Sequence, residues 1–235
     1  MLTVDLERLG VRAGDWLLDA GCGGGRHCFG ALDRGVHAIG VDLDLEALRI
    51  ARAGITQRRA PDRCGGTLQG DVFGLPFPDA RFDRVICSEV MEHVHDYPSA
   101  LHELVRVLRP GGTIGITIPT AITEWAYLQL TREYFESPGG HIRVFSPRVL
   151  ARAMAQAGVR VEAVSFAHAL HSPYWLLRSA LGLHDERPAP TRAYREFLMK
   201  ASLSPIWTRV ERGLDWIWPK SLILYGTRTH TGTFA

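Results

Sequence analysis

The chain has 235 residues, 46% of them apolar, enough for one full-sized core, and its formal charge of +2 comes from interspersed residues of both signs. With no basic run or stripe, a nucleic-acid phosphate backbone is not the expected partner. Residues 1–10 place Asp5, Glu7 and Arg8 where a signal peptide needs an apolar stretch. No run of about 18 apolar residues follows, so the reading is a soluble protein without a transmembrane segment. The four cysteines, Cys22, Cys28, Cys64 and Cys87, have neither CxxC nor zinc-finger spacing, and a reducing cytoplasm is the expected location.

From Asp15 onward, short apolar runs alternate with helical stretches. WLLDA (16–20) reads as a strand, followed by a helix from about Arg26, a strand in VHAIGVD (36–42) and a helix through LEALRIARAG (45–54). A short strand near TLQGD (67–71), a loop punctuated by GLPFPD, the strand FDRVICSE (82–89), the helix SALHELVRVL (99–108) and the strand GTIGITIP (112–119) follow. Beyond a stretch of mixed character, SPRVLARAMAQAG (146–158) has a serine cap, a first-turn proline and a closing glycine, which predict a helix. It leads into the strand VRVEAVSF (159–166), and SLILYGTR (221–228) supplies the seventh strand.

Nearly continuous apolar strands alternating with helices predict a doubly wound, Rossmann-like α/β fold with a mostly parallel seven-stranded sheet. Residues 1–235 read as one domain. The interval 167–220 is far longer than an ordinary connection and predicts a helical cap inserted before the last strand.

LLDAGCGGGRH sets Asp19 at a strand end, followed by Gly21, Gly23, Gly25 and a helix start. Glycines suit a backbone that turns tightly and lets a ligand approach closer than a Cβ allows. The dinucleotide-binding fingerprint GxGxxG is close to this pattern, but the tighter GxGxG spacing favours S-adenosylmethionine (SAM) over NAD. Asp42 ends the second strand about 20 residues on, where a carboxylate can accept two ribose hydroxyls. A third acid, Asp71, follows the third strand. The bland alternative is a plain strand-to-helix turn with three ordinary strand-end acids.

DAGCGGG, GVD, GDVFGLPFPDARFD and LRPGGTIGITIP stand in the order and at the spacings of the class I SAM-dependent methyltransferases, which residues 15 to about 166 resemble closely. The resemblance implies that Asp19 and the loop glycines hold the methionine moiety, Asp42 the ribose, and Asp71 with the Val72 backbone the adenine. The full cofactor set it suggests is Asp19, Gly21, Cys22, Gly23, Gly25, Asp42, Leu43, Asp71, Val72 and Ser88. Only about 14 residues precede the first strand, so the N-terminal helices that often roof this family's site are nearly absent. Residues 120–145 and the late insertion are the candidate roof, with Trp125, Tyr127, Tyr134, Phe135, Tyr174, Trp175 and Trp207 as apolar wall or, alternatively, as the cap's own core.

CSEVMEHVHDY places Glu89, Glu92 and His93 at i, i+3 and i+4. If a helix begins at Glu89, the three share one face: two carboxylates and an imidazole suit a divalent cation such as Mg²⁺ with positions left open. The ExxEH run resembles the O-methyltransferases of ubiquinone biosynthesis and the small-RNA 2′-O-methyltransferases, where it is associated with a divalent metal. The latter resemblance implies a further downstream histidine, and His141 in GGHIRVFSPRVL stands at a comparable place. The candidate metal set is therefore Glu89, Glu92, His93 and His141, and the candidate catalytic residues are His141, Glu92 and His93. His141 alternatively serves as general base, and Glu92 alternatively as an acid favoured in a first helical turn.

The function expected is SAM-dependent O-methylation of a small hydroxylated acceptor, a sugar diol or a catechol, assisted by the metal. Kept beside it are metal-free C-methylation with His141 as base, a nucleotide-dependent oxidoreductase, and a non-catalytic SAM-binding protein.

Overall fold

The computed structural model describes residues 2–130, 140–181 and 188–230. Seven strands form one sheet: β1 (Trp16–Ala20), β2 (His37–Asp42), β3 (Gly65–Gln69), β4 (Phe82–Ser88), β5 (Leu108–Pro119), β6 (Val159–Ala167) and β7 (Ser221–Arg228). Their order is β3-β2-β1-β4-β5-β7-β6. β7 runs antiparallel to both neighbours, whereas β3 to β5 and β1 pair in parallel. The expected doubly wound, mostly parallel sheet is the one observed.

The alternation of side chains along each strand divides the core into two layers. Leu18, Val85 and Cys87 face the layer that α3 (Tyr97–Val107) and α5 (Pro147–Gln156) fill with Leu101, Leu104, Leu150 and Met154. Leu17, Ala38 and Ile86 face the opposite layer, where α1 (Arg26–Leu32) and α2 (Leu45–Gln57) supply Leu32 and Ile55. Three helix starts carry a side-chain cap: Asp44 accepts from the Glu46 and Ala47 N–H groups, Asp96 from Ser99, and Ser146 from Val149. α3 begins two residues earlier than SALHELVRVL suggests, because the cap is Asp96 and Pro98 fits its first turn.

The short N-terminal segment covers the sheet rather than the site. Val4, Leu6 and Leu9 are buried with Leu17, Ile223 and Tyr225, and the Asp5 N–H donates to Tyr225 Oη at 2.9 Å. α4 (Ala121–Leu130) follows β5, and α6 (His171–Leu181), α7 (Ala189–Ser202) and α8 (Pro205–Leu214) lie between β6 and β7. Tyr127 of α4 is fully buried against Trp175 and Leu176 of α6, so these side chains form a small core of their own. Trp125 and Trp207 are exposed, and Tyr134 and Phe135 lie outside the described residues. No helix among the described residues is long and apolar enough to cross a membrane.

Candidate active site

Strand order reverses between β1 and β4, which opens a crevice at the carboxyl ends of the parallel strands. A cavity of about 760 Å³ lies there, walled by the loops after β1, β2, β3 and β4. Its volume falls in the range of small-molecule and cofactor sites.

The glycine loop forms one wall. Gly21, Gly23 and Gly25 all have positive φ, at 75°, 50° and 85°, a region that side chains rarely adopt. At Gly21 a Cβ would meet Val90 Cγ2 at 2.1 Å, so the β1 loop and the turn after β4 approach each other only because the residue is glycine. Asp42 holds the loop from below: its carboxylate accepts from the Gly23 N–H at 2.7 Å and from the Asp44 N–H at 2.9 Å.

Gly21, Cys22, Gly23, Asp42, Leu43, Asp71, Val72 and Ser88 all line the cavity. Asp19 and Gly25 do not. Asp19 is fully buried beneath the loop, 3.6 Å from His27 Nδ1 and within reach of the Cys28 thiol, while Gly25 caps α1 against Ala51. Their place is to shape the loop from behind. Cys22 is an inert lining thiol, since burial and then the Asp19 and Asp42 charges push its pKa up. Arg26, His27 and Phe73 also line the wall and carried no signal in the sequence beyond their nearness to the glycines and Asp71.

At the acceptor end, the stretch after β4 departs from the expected helix. Glu89 has φ 57° and only residues Met91–His93 form a single 3-10 turn. The Glu89 carboxylate accepts from Lys220 Nζ at 2.6 Å and from Thr117 Oγ1 at 3.1 Å. Burial alone would raise its pKa, but the Lys220 ammonium and these hydrogen bonds outweigh it and hold the carboxyl below its ordinary range. Glu89 is thus paired with Lys220, at the threshold of β7, and stands outside the cluster that Glu92, His93 and His141 form.

Glu92, His93 and His141 do come together. Each offers a ligand atom within 4.8 Å of the other two. The approach has a backbone cause: the Ile142 N–H donates to the Glu92 carbonyl at 3.0 Å, and His93 Nδ1 lies 3.2 Å from the Gly140 carbonyl. The described end of the 120–145 stretch is in this way pinned across the 3-10 turn. His141 Nδ1 meets Glu124 Oε2 at 2.7 Å, and the rings of His93 and His141 are edge-to-face with centroids 4.7 Å apart.

Glu92 is 1% exposed, and among the described residues neither of its carboxylate oxygens has a hydrogen-bond partner. Burial first, and then the Glu89 charge, push its pKa well above the ordinary range. A buried carboxyl in that position gains the partner it lacks when it exchanges its proton for a cation. With two imidazoles beside it, the donor set fits a divalent metal and leaves further positions open for oxygen ligands.

Residues 18–116 match the methyltransferase domain family. The malonyl-[acyl-carrier protein] O-methyltransferase of Serratia marcescens is 35% identical over 174 residues, which cover 72% of this chain and 64% of that protein. The ubiquinone biosynthesis O-methyltransferase of Aeromonas salmonicida is 31% identical over 173 residues, 69% of this chain and 70% of that protein. The chain spans only 40% to 64% of the length of such curated relatives as the methyltransferase GfsG of Streptomyces halstedii and the Serratia protein. Among solved structures, YcgJ of Bacillus subtilis superposes with a TM-score of 0.64 at 20% identity, covering 96% of each chain. Geranyl diphosphate methyltransferase in complex with SAM gives 0.66 at 20% identity, covering 95% of this chain and 82% of that one. Those two likenesses bear on the fold, and the sequence relatives on the activity. With its glycine loop, strand-end acids and switch-point cavity in place, the chain belongs to the class I SAM-dependent methyltransferases.

Proposed function

We propose that this methyltransferase moves the SAM methyl group to a hydroxyl oxygen of a small acceptor, a sugar diol or a catechol, with Glu92, His93 and His141 holding a divalent cation. The convergence of those three side chains on two unpartnered, buried Glu92 oxygens carries the reading. Relatives named as O-methyltransferases support an oxygen acceptor.

The sulfonium methyl is already activated, so the chain's task is to place the nucleophile in line with the S–CH₃ bond at about 3 Å and to exclude water. Gly21, Gly23 and Asp42 seat the cofactor on one side of the cavity, and Val90 and His93 on its other wall bring the acceptor end alongside. A bound divalent cation lowers the pKa of a coordinated hydroxyl and orients it. Two neighbouring hydroxyls would chelate together, hence the preference for diols.

A second reading rests on the 2.7 Å contact between Glu124 and His141. Without metal, a carboxylate-oriented imidazole is a general base, and such a base also serves a carbon acceptor with an acidic proton. Activity measured with EDTA and after adding back Mg²⁺, Mn²⁺ or Co²⁺ separates the two. Loss and recovery, with SAM binding intact, supports the metal reading; full activity in EDTA leaves His141 as base.

A further inference from the structure

We infer that the base of the cap holds a second, separate metal site, built from His168, His171 and Glu211 and suited to zinc. Each of the three offers a ligand atom within 4.8 Å of the others. None lines the cofactor cavity. His168 directly follows β6, His171 opens α6, and Glu211 lies in the last turn of α8.

The three ligand atoms are buried and lie together, although the His171 side chain as a whole is 32% exposed. His168 is 6% exposed and Glu211 3%. Among the described residues, His168 Nδ1, His171 Nδ1 and Glu211 Oε1 have no hydrogen-bond partner. Orphaned groups of this kind are costly, and a native interior rarely leaves three at one place. His171 Nδ1 stands 3.6 Å from Glu211 Oε1, beyond hydrogen-bond reach. Ligand atoms bonded at about 2.0–2.2 Å to one tetrahedral zinc lie roughly 3.3–3.6 Å apart, so the observed gap matches a bridging ion.

The surroundings are organised as the outer ring of a metal site. His168 Nε2 lies 2.9 Å from Thr3 Oγ1. With the Nε2 proton donated to that hydroxyl, the Nδ1 lone pair is the one left facing inward, the usual arrangement for a ligating imidazole. His168 has φ 68°, a strained value for a residue other than glycine. The turn that imposes it is held by the His171 N–H on the His168 carbonyl at 2.9 Å and by the Ala169 N–H on Asp215 Oδ1 at 2.8 Å. Two histidines and a carboxylate form a zinc donor set with a fourth position for water. The ion ties the end of β6 and the start of α6 to α8, and through Thr3 to the N-terminal segment.

The test runs in a His93→Ala/His141→Ala background, so that the Glu92 cluster contributes nothing and the outcome is independent of the proposed function. Protein purified without chelator and dialysed against micromolar Zn²⁺ is analysed by inductively coupled plasma mass spectrometry. About one zinc per chain is expected, with cobalt substitution giving the visible bands of a tetrahedral site and zinc raising Tm. Glu211→Gln, which keeps size and removes charge, and His171→Ala should each abolish stoichiometric zinc. Thr3→Val should weaken it by about tenfold, as loss of an outer-ring partner does. SAM binding by titration calorimetry reports that each variant is folded. Zinc-free protein in the double-variant background, or zinc retained unchanged in folded Glu211→Gln, would overturn the site and leave a His171–Glu211 ion pair only.

Discussion

Glu124 and His141 meet at 2.7 Å through Oε2 and Nδ1, the carboxylate 1% exposed and carried on α4, the histidine on the segment that crosses the 3-10 turn. The pair orients the His141 ring, whether the imidazole binds a cation or takes a proton. Glu124→Gln should therefore lower kcat by about 10- to 100-fold while leaving SAM affinity within twofold. Steady-state kinetics with parallel calorimetry checks this, and an unchanged kcat would make Glu124 a packing residue.

Lys220 and Glu89 form a half-buried ion pair near the candidate site, with side chains 15% and 20% exposed. Removing only the ammonium leaves a carboxylate with little water and one hydroxyl partner, Thr117. Lys220→Met should cost about 2–4 kcal/mol, somewhat under the figure for a fully buried pair, and lower Tm by roughly 5–10 °C. The double variant Glu89→Gln/Lys220→Met should recover at least half of that loss in a thermal melt. A double variant no more stable than Lys220→Met would place the cost elsewhere.

Asp42 uses its carboxylate to hold the Gly23 N–H and faces the cavity from the end of β2. Asp42→Ala should weaken SAM binding by about 1.5–3 kcal/mol with the fold intact, if Asp42 also holds the ribose as proposed, since charge-assisted hydrogen bonds are then lost on both sides. Calorimetry showing an unchanged Kd would remove the ribose assignment. Asp19→Asn, by contrast, should act through the loop: Asp19 lies beneath it rather than on the cavity wall, so a weaker Kd should come with a lower Tm.

The sheet was legible because its strands are apolar runs punctuated by glycine, signals that live within a few residues of one another. The cavity wall was legible for the same reason: Gly21, Gly23, Asp42 and Asp71 stand at fixed distances along the chain. The helix expected to begin at Glu89 does not form: the spacing of Glu89 to Glu92 is a local cue, whereas its carboxylate pairs with Lys220, 131 residues away in sequence. Glu124, which meets His141 from 17 residues away, and Glu211, which meets His171, are likewise pairings that folding makes. Spacing along a strand or helix can reveal a face, but not which remote side chain is brought to it.

Glu92 offers the clearest pH signature. Burial, and next the Glu89 charge, raise its pKa well above the ordinary 4.5, so without metal the folded state keeps a proton that the unfolded chain releases. The folded state then binds more protons than the unfolded one above about pH 4.5, and stability falls as pH rises towards the folded-state pKa. Glu92→Gln removes that slope. In EDTA the variant should melt a few degrees above the parent at pH 8, on the order of 3 °C, and near the parent at pH 4.5. Mg²⁺ or Mn²⁺ should reverse the order at pH 8, because a cation favours the ionised carboxylate and stabilises only the parent. Loss of activity in the same variant would accompany this without deciding it, since Gln also removes a ligand. A parent whose Tm is flat from pH 5 to 8 in EDTA, or equal to that of Glu92→Gln throughout, would mean that the Glu92 carboxyl is solvated in solution and not the buried group seen beside His93 and His141.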